Sequence, residues 1–231
     1  MKTQSTYSSS NSLFRASVEG IFGSRLSIQI AGLSENKAYA VYKDVVGDLS
    51  TLEKVFDGRN PDSEVSVLNA SKVDIETSAE LKSALNLCES YLIKTQGLFN
   101  VSKGENEHLD FGGFIKAYAV QRIGAILKKA KVKDAFLNFG DSVVWAAGCQ
   151  KYCDGWPYTL ENDDTEDELH EYELRNETLG ISLIDRRLCC VRSSDPLEAK
   201  ILSLVLPVCT PSQRKEMSYS FKSLEDTYFD L

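Results

Sequence analysis

Basic charge is in short supply. The 231-residue chain carries 26 Lys and Arg against 34 Asp and Glu, a formal net charge of −8. That balance argues against general attraction to nucleic acid or anionic membrane, which needs clustered cations, but it leaves room for a local basic pocket. Long apolar runs are also missing, and no stretch reaches the roughly 20 residues that a membrane span requires. Met1 to Ser12 is rich in Ser and Thr and lacks the apolar centre of an export signal. Residues 1–17 read as a loose, disordered tail before a single domain over 18–231, and the protein reads as cytoplasmic. Histidine is nearly absent. His108 and His170 are the two copies, the first in a loop and the second in an acidic stretch, so histidine-based catalysis has little to work with. The six cysteines, at 88, 149, 153, 189, 190 and 209, are irregularly spaced. Cys149-x-x-x-Cys153 lacks the further ligands of a zinc site, so the set reads as ordinary thiols.

What is present is a mixture of strand and helix patterns. Val18 to Ala31 contains Leu26, Ile28 and Ile30 at a period of two, the mark of a half-buried strand. Lys37 to Phe56 places Ala38, Val41, Tyr42, Val45, Leu49, Leu52 and Phe56 at helical spacing. A short turn of helix is expected over Pro61 to Asn69. Thr77-x-x-Glu80 has the form of a capping box opening a helix that Gly97 ends. Leu98 to Val101 is a candidate short strand. Ala135 to Phe139 and Ser142 to Gly148 flank Gly140-Asp141 as a hairpin. The acidic stretch from Glu161 to Glu173 lacks the glycine and terminal glutamate of a calcium loop and is expected to be a solvated, mobile loop. Strands follow at Tyr172-Glu173-Leu174, Gly180 to Ile184 and Leu188 to Val191. Asp195-Pro196-Leu197-Glu198 starts a helix with proline in its first turn, and Tyr219 to Leu231 adds strand. The sum is a single α+β domain.

The segment with the most chemistry is Asp110-Phe111-Gly112-Gly113-Phe114-Ile115-Lys116. Two glycines allow backbone to come close to a ligand, the helix start offers N–H groups to an anion, and Lys116 sits in the first turn. Taken alone, a glycine pair before a helix is common.

Companion segments sharpen it. In chain order they are Pro61-Asp62-Ser63-Glu64 with Leu68-Asn69, then Gly97-Leu98-Phe99-Asn100, then Asp110 to Val120, then Leu137-Asn138-Phe139-Gly140-Asp141, with a weaker Leu197-Glu198-Ala199. Together they resemble the FAD:protein FMN transferase (ApbE) family over roughly residues 20–210. The resemblance implies an α+β domain of ApbE-like, T-fold-related architecture. It implies FAD as substrate or ligand, Mg²⁺ as cofactor, and a flavin-acceptor protein as partner, with FMN moved onto a threonine. It places Asp110, Gly112, Gly113, Lys116, Glu64, Asn138 and Asp141 around the flavin nucleotide. For the metal it implies Glu198, the Ile115 carbonyl and position 202, where the family's threonine is Leu202. No residue is nominated as the catalytic group. Ala117, Gln121 and Asn100 also depart from the family pattern. The interval after Ser182, Leu183-Ile184-Asp185-Arg186-Arg187-Leu188, lacks the family's His and Pro-x-Thr-Gly, and only eight residues separate Val101 from Asp110. These losses imply impaired transfer or, alternatively, an inactive ApbE-like binding or interaction protein.

Overall fold

The computed structural model describes residues 1–71, 76–104, 108–162, 165, 167–221 and 226–230. In chain order the elements are β1 (Lys2–Ser8), β2 (Leu13–Ile21), β3 (Ser24–Ala31), α1 (Glu35–Phe56), α2 (Glu64–Ala70), α3 (Ala79–Lys94), β4 (Ser102–Lys103), β5 (His108–Leu109) and α4 (Ile115–Lys129). They continue with β6 (Asp134–Phe139), β7 (Val143–Ala147), β8 (Trp156–Glu161), β9 (Glu168–Leu174), β10 (Glu177–Ile184), β11 (Arg187–Ser193), α5 (Pro196–Val205), α6 (Pro211–Met217) and β12 (Asp226–Asp230).

Eight strands form one antiparallel sheet in the order β1-β2-β3-β6-β7-β10-β11-β12. Side chains alternate across it, as the two-residue period requires. In β6, Ala135, Leu137 and Phe139 join the helix-side core, while Phe136 joins the other face. The helices α1, α4 and α5 cover the first face. The β8–β9 hairpin covers the second, where Trp156 stacks on Phe136 at 5.8 Å. The expected α+β architecture is what the chain adopts.

Local departures from the sequence reading have physical causes. Much of the expected disordered tail is strand: Lys2–Ser8 is β1, and β2 already begins at Leu13. The β1 strand is mostly exposed, so hydrophobic alternation could not reveal it. Its order comes from backbone pairing with β2 and from the Tyr7 hydroxyl, which donates to the Leu33 carbonyl at 2.9 Å. Val18 to Ala31 is two strands, not one, turning at Phe22 and Gly23, both at positive φ. The stretch from Leu98 to Val101 is not strand. Within the acidic stretch, Glu168–Leu174 is β9 rather than a mobile loop, because Tyr172 and Leu174 alternate into the second core while the carboxylates face water. Asp163, Asp164 and Glu166 of that stretch lie outside the described residues.

The helix α3 is capped by Ser78, whose hydroxyl accepts from Leu81 N at 3.1 Å, not by a Thr77–Glu80 box. Glu80 is drawn elsewhere. It accepts from the Tyr118 hydroxyl at 2.6 Å and from Arg122 at 2.7 and 2.8 Å, and Arg122 also reaches Asp48 at 2.5 Å. This half-buried charge network ties α1, α3 and α4 together behind the Gly112-Gly113 turn. Burial alone would raise the Glu80 pKa, but the Tyr118 hydroxyl and the Arg122 guanidinium outweigh it and hold it below the usual range.

Candidate functional site

The Asp110–Gly113 turn is built by side chain and backbone together. Asn69 of α2 makes a paired bond with Leu109, donating to its carbonyl at 2.9 Å and accepting from its N–H at 2.8 Å. That fixes the strand end just before Asp110. The Asp110 carboxylate accepts from Gly112 N at 2.8 Å and pairs with Lys103 at 3.0 Å. Chiefly through the Gly112 N–H, its pKa lies below the usual carboxylate range. The N–H groups of Phe114 and Ile115 both donate to the Phe111 carbonyl. The helix α4 then starts without a side-chain cap, leaving the Lys116 and Ala117 N–H groups as the donors its start offers to a ligand.

A cavity of about 720 Å³ opens beside this turn, within the range of small-molecule and cofactor sites. Asp110, Gly112, Ile115 and Lys116 line it, as do Phe22, Phe56 and Arg59. Arg59 brings a second cation, held by Asp57 at 2.9 Å. A second cavity, of about 450 Å³, lies between the β6–β7 turn, β10 and α5. Its walls include Gly140, Asp141, Ser142, Ser182, Lys200 and Leu204. Lys116 links the first cavity to a residue of the second. It lines the first cavity, and its Nζ lies 3.3 Å from the point that a Cβ on Gly140 would occupy. Burial pulls the Lys116 pKa down, and the Asp141 charge acts in the opposite direction.

The β6–β7 connection is a two-residue turn with Gly140 and Asp141 both at positive φ and Ser142 N donating to Phe139 O. Asn138 shapes it from below. Its side chain donates to Asp141 Oδ1 at 2.7 Å and accepts from Asp141 N at 3.0 Å. Asp141 therefore lines the second cavity while Asn138 serves as its support. Glu64 lines neither cavity, because its carboxylate accepts from Ser78 N at the start of α3. Of the expected nucleotide set, the structure thus brings Asp110, Gly112 and Lys116 together with Ile115. Asp141 sits next door, and Asn138 and Glu64 act behind the surface.

The expected metal set does not assemble. The Glu198 carboxylate accepts from the Ser193 hydroxyl at 3.2 Å and lines neither cavity, whereas Ile115 lines the first. Leu202 is fully buried in the core. The α5 residues that face the Gly-Gly turn and the second cavity are Lys200 and Leu204, one helical turn apart. Leu204 Cδ1 comes within 2.9 Å of where a Cβ on Gly113 would sit, so α5 packs closely against the turn, and a methyl group there would have to push the leucine end aside. The weak Leu197-Glu198-Ala199 match located the helix correctly and its working face two residues too early. An ammonium and an isobutyl group offer Mg²⁺ no oxygen ligand, so this face of α5 does not fit the metal. Among the described residues no group of three or more His, Cys, Asp or Glu could hold a metal ion.

Lys200 is the residue that sequence reasoning missed. It is 7% exposed. Its Nζ donates to the Ile181 carbonyl at 2.5 Å and to Ser182 Oγ at 2.8 Å, and Ser182 Oγ lies 2.7 Å from Ser203 Oγ. Gly180 makes this possible. A Cβ there would collide with the Ala199 backbone, so only glycine lets α5 settle so close to β10. Burial, and then the nearby Lys116 charge, bring the Lys200 pKa down to about 7. One signal for it was present in the sequence: a lone lysine inside the apolar run from Ile201 to Leu206 and its preceding turn.

The fold is shared with solved ApbE structures. Three solved structures align over most of this chain. The flavin transferase ApbE from Vibrio cholerae has a TM-score of 0.76 at 11% identity, covering 92% of each chain. The ApbE protein from Thermotoga maritima has 0.75 at 14%, covering 98% of this chain and 93% of that one. The flavinyl transferase ApbE of Pseudomonas stutzeri, in its apo form, has 0.71 at 15%, covering 94% and 88%. At such identities the likeness speaks for the fold. The ApbE family model matches residues 101–189, the stretch with both the Gly-Gly turn and the β6–β7 turn. The two findings agree, the family match over residues 101–189 and the shared fold over most of the chain. No curated protein matches the chain. No helix of the described residues is long and apolar enough to cross a membrane.

Proposed function

We propose that the chain is a cytoplasmic ApbE-family protein that binds FAD across Lys116 and is impaired in moving FMN onto a partner's threonine. The observation that carries the reading is the position of Lys116. It stands between a 720 Å³ cavity and a 450 Å³ cavity, on an uncapped helix start. A dinucleotide has two bulky ends and a doubly anionic middle, and this arrangement has two rooms and a cationic doorway. The diphosphate would accept from the Lys116 and Ala117 N–H groups and face the Lys116 ammonium, in a setting where burial strengthens charge–charge attraction. Asp110 keeps the turn in shape through Gly112 and is itself kept anionic, so its part is to position the backbone. Arg59, on the first cavity, would steer a phosphate or ribose oxygen.

Impairment follows from α5. Transfer of a flavin phosphate needs strong stabilisation of charge on the phosphoryl oxygens. With Lys200 and Leu204, rather than the expected Glu198 and position 202, as the α5 residues on the second cavity, that stabilisation has to come from cations of the protein. The protein is therefore expected to bind FAD and to transfer FMN slowly or not at all. The competing reading is an interaction protein that has kept the fold and lost the flavin, favoured by the packing of Leu204 against Gly113.

The test is direct. Purified protein is titrated into FAD while flavin fluorescence is followed, then incubated with FAD, Mg²⁺ and an Asp-x-x-Thr acceptor peptide whose mass is measured. Saturable binding with little or no FMN adduct is expected. Efficient peptide flavinylation would overturn the impairment, and absence of any binding would leave the interaction-protein reading.

A further inference from the structure

Lys200 does not fit a structural role alone. A buried ammonium is costly unless its charge is met, and most buried core positions of a helix such as α5 are apolar. Its two acceptors are neutral, a carbonyl and a hydroxyl. An ammonium has three N–H donors, so among the described residues one remains for the cavity that Lys200 lines. Lys116 adds a second positive charge close enough to act on it. The carboxylates on the same cavity are outside this pair: Asp141 is exposed and bound to Asn138 and Tyr158, and Glu161 is exposed at the end of β8. Among the described residues neither lysine forms an ion pair with a carboxylate, although the Asp141 charge acts on Lys116.

We propose that Lys200, with Lys116, is a built-in replacement for a divalent cation, so that the diphosphate of the nucleotide is held without metal between the two lysines, at the edge of the second cavity that adjoins Lys116. This deepens the FAD reading and rests on it for the identity of the ligand. The supporting geometry is specific. Lys200 and Leu204 are the α5 residues on the cavity, four apart on one helix face. The longer one carries a permanent donor instead of a metal-binding oxygen, and the other closes the space against Gly113. An ammonium in that place would also repel Mg²⁺. Ser182 and Ser203 fix the ammonium from behind, which keeps it from swinging into solvent.

The test compares metal dependence with lysine dependence. FAD and inorganic pyrophosphate are each titrated calorimetrically into the full chain, in EDTA and in millimolar Mg²⁺. Affinities equal within about twofold in the two buffers are expected, whereas a gain of about tenfold on adding Mg²⁺ would overturn the proposal. Lys200→Met, which keeps much of the length and removes the charge, should weaken both ligands by about tenfold or more in both buffers. Unchanged affinity in a folded variant would also overturn it. Mn²⁺ binding followed by electron paramagnetic resonance supplies a readout that needs no ligand. The natural chain should leave Mn²⁺ free, and the double substitution Lys200→Asp with Leu204→Thr should capture it. Stoichiometric Mn²⁺ binding by the natural chain at this site counts against the proposal. If pyrophosphate binds in a Lys200-dependent way and FAD does not, the anion site stands and the flavin reading falls. If neither binds, both fall.

Discussion

The two cavities on either side of the Lys116 ammonium are built in opposite ways. The first is backbone-made. Asn69, Asp110 and the uncapped start of α4 arrange N–H groups around a turn, and the charged side chains there are exposed or half-buried. The second is side-chain-made. Its chemistry comes from Lys200, held by Ser182 and seated by the close approach of α5 to Gly180. A backbone site tolerates sequence drift because every residue supplies an N–H. A side-chain site can be rewritten by two substitutions, and the Lys200 and Leu204 pair looks like such a rewriting.

The sharpest way to break this contrast is to unseat α5 while leaving the first cavity alone. Gly180→Val places atoms on the Ala199 backbone, which cannot rotate away, so a loss of about 3 kcal/mol is expected in urea denaturation. Pyrophosphate binding should fall with it. Arg122→Met acts behind the first cavity instead. It strands the Asp48 and Glu80 carboxylates and should cost roughly 2–3 kcal/mol, with ligand affinity in the surviving folded protein changed little.

A pH series separates the two cations. The folded pKa of Lys200 is about 7, against about 10.4 for an unfolded lysine. Between these values the unfolded chain holds the extra proton, so stability rises with pH. The slope should approach about 1.4 kcal/mol per pH unit at most, measured between pH 7 and 8.5 without ligand. The upper limit matters because the Cys88 and Cys189 thiols, raised by burial to about 12, push the other way once free thiols begin to ionise. In Lys200→Met that rise should vanish. The smallest effect belongs to Asp110→Ala, which removes the acceptor for Gly112 N and should cost about 1 kcal/mol. Asp110→Asn keeps an acceptor oxygen and should recover most of it.

Much of this was legible in the sequence, and the limits have physical reasons. The Gly112-Gly113 turn, the Gly140-Asp141 turn and the helix start at Asp195 are local signals, carried by residue types that few other backbones demand. The α1 and α5 helices showed themselves by apolar spacing. The β1 strand did not, because a strand paired only through backbone at a sheet edge has no buried face to betray it. Only the end of β9 was legible, at Tyr172-Glu173-Leu174, and charge hid the rest of the strand. Lys200 stayed hidden for another reason. On a helix with almost all sides buried, sequence spacing cannot say which face meets a cavity, and a two-residue error turns Glu198 toward a site that Lys200 occupies.

The sheet also sets an order of events. The β3–β6 pairing joins Leu26 to Phe139 across the whole helical first half of the chain, whereas β2–β3, β6–β7 and β10–β11 are hairpins between near neighbours. Local hairpins close quickly, and long-range pairing waits on loop closure. The β2–β3 turn with Phe22 and the β6–β7 turn with Gly140 lie at the same end of that seam, where Ser24 sits against Gly140. Each cavity takes a wall from one of these turns, so neither exists until the seam has zipped. Recovery of the proposed nucleotide binding during refolding would therefore be a clock for the slowest topological step, and a nucleotide held there would act as a clasp across the two halves of the chain.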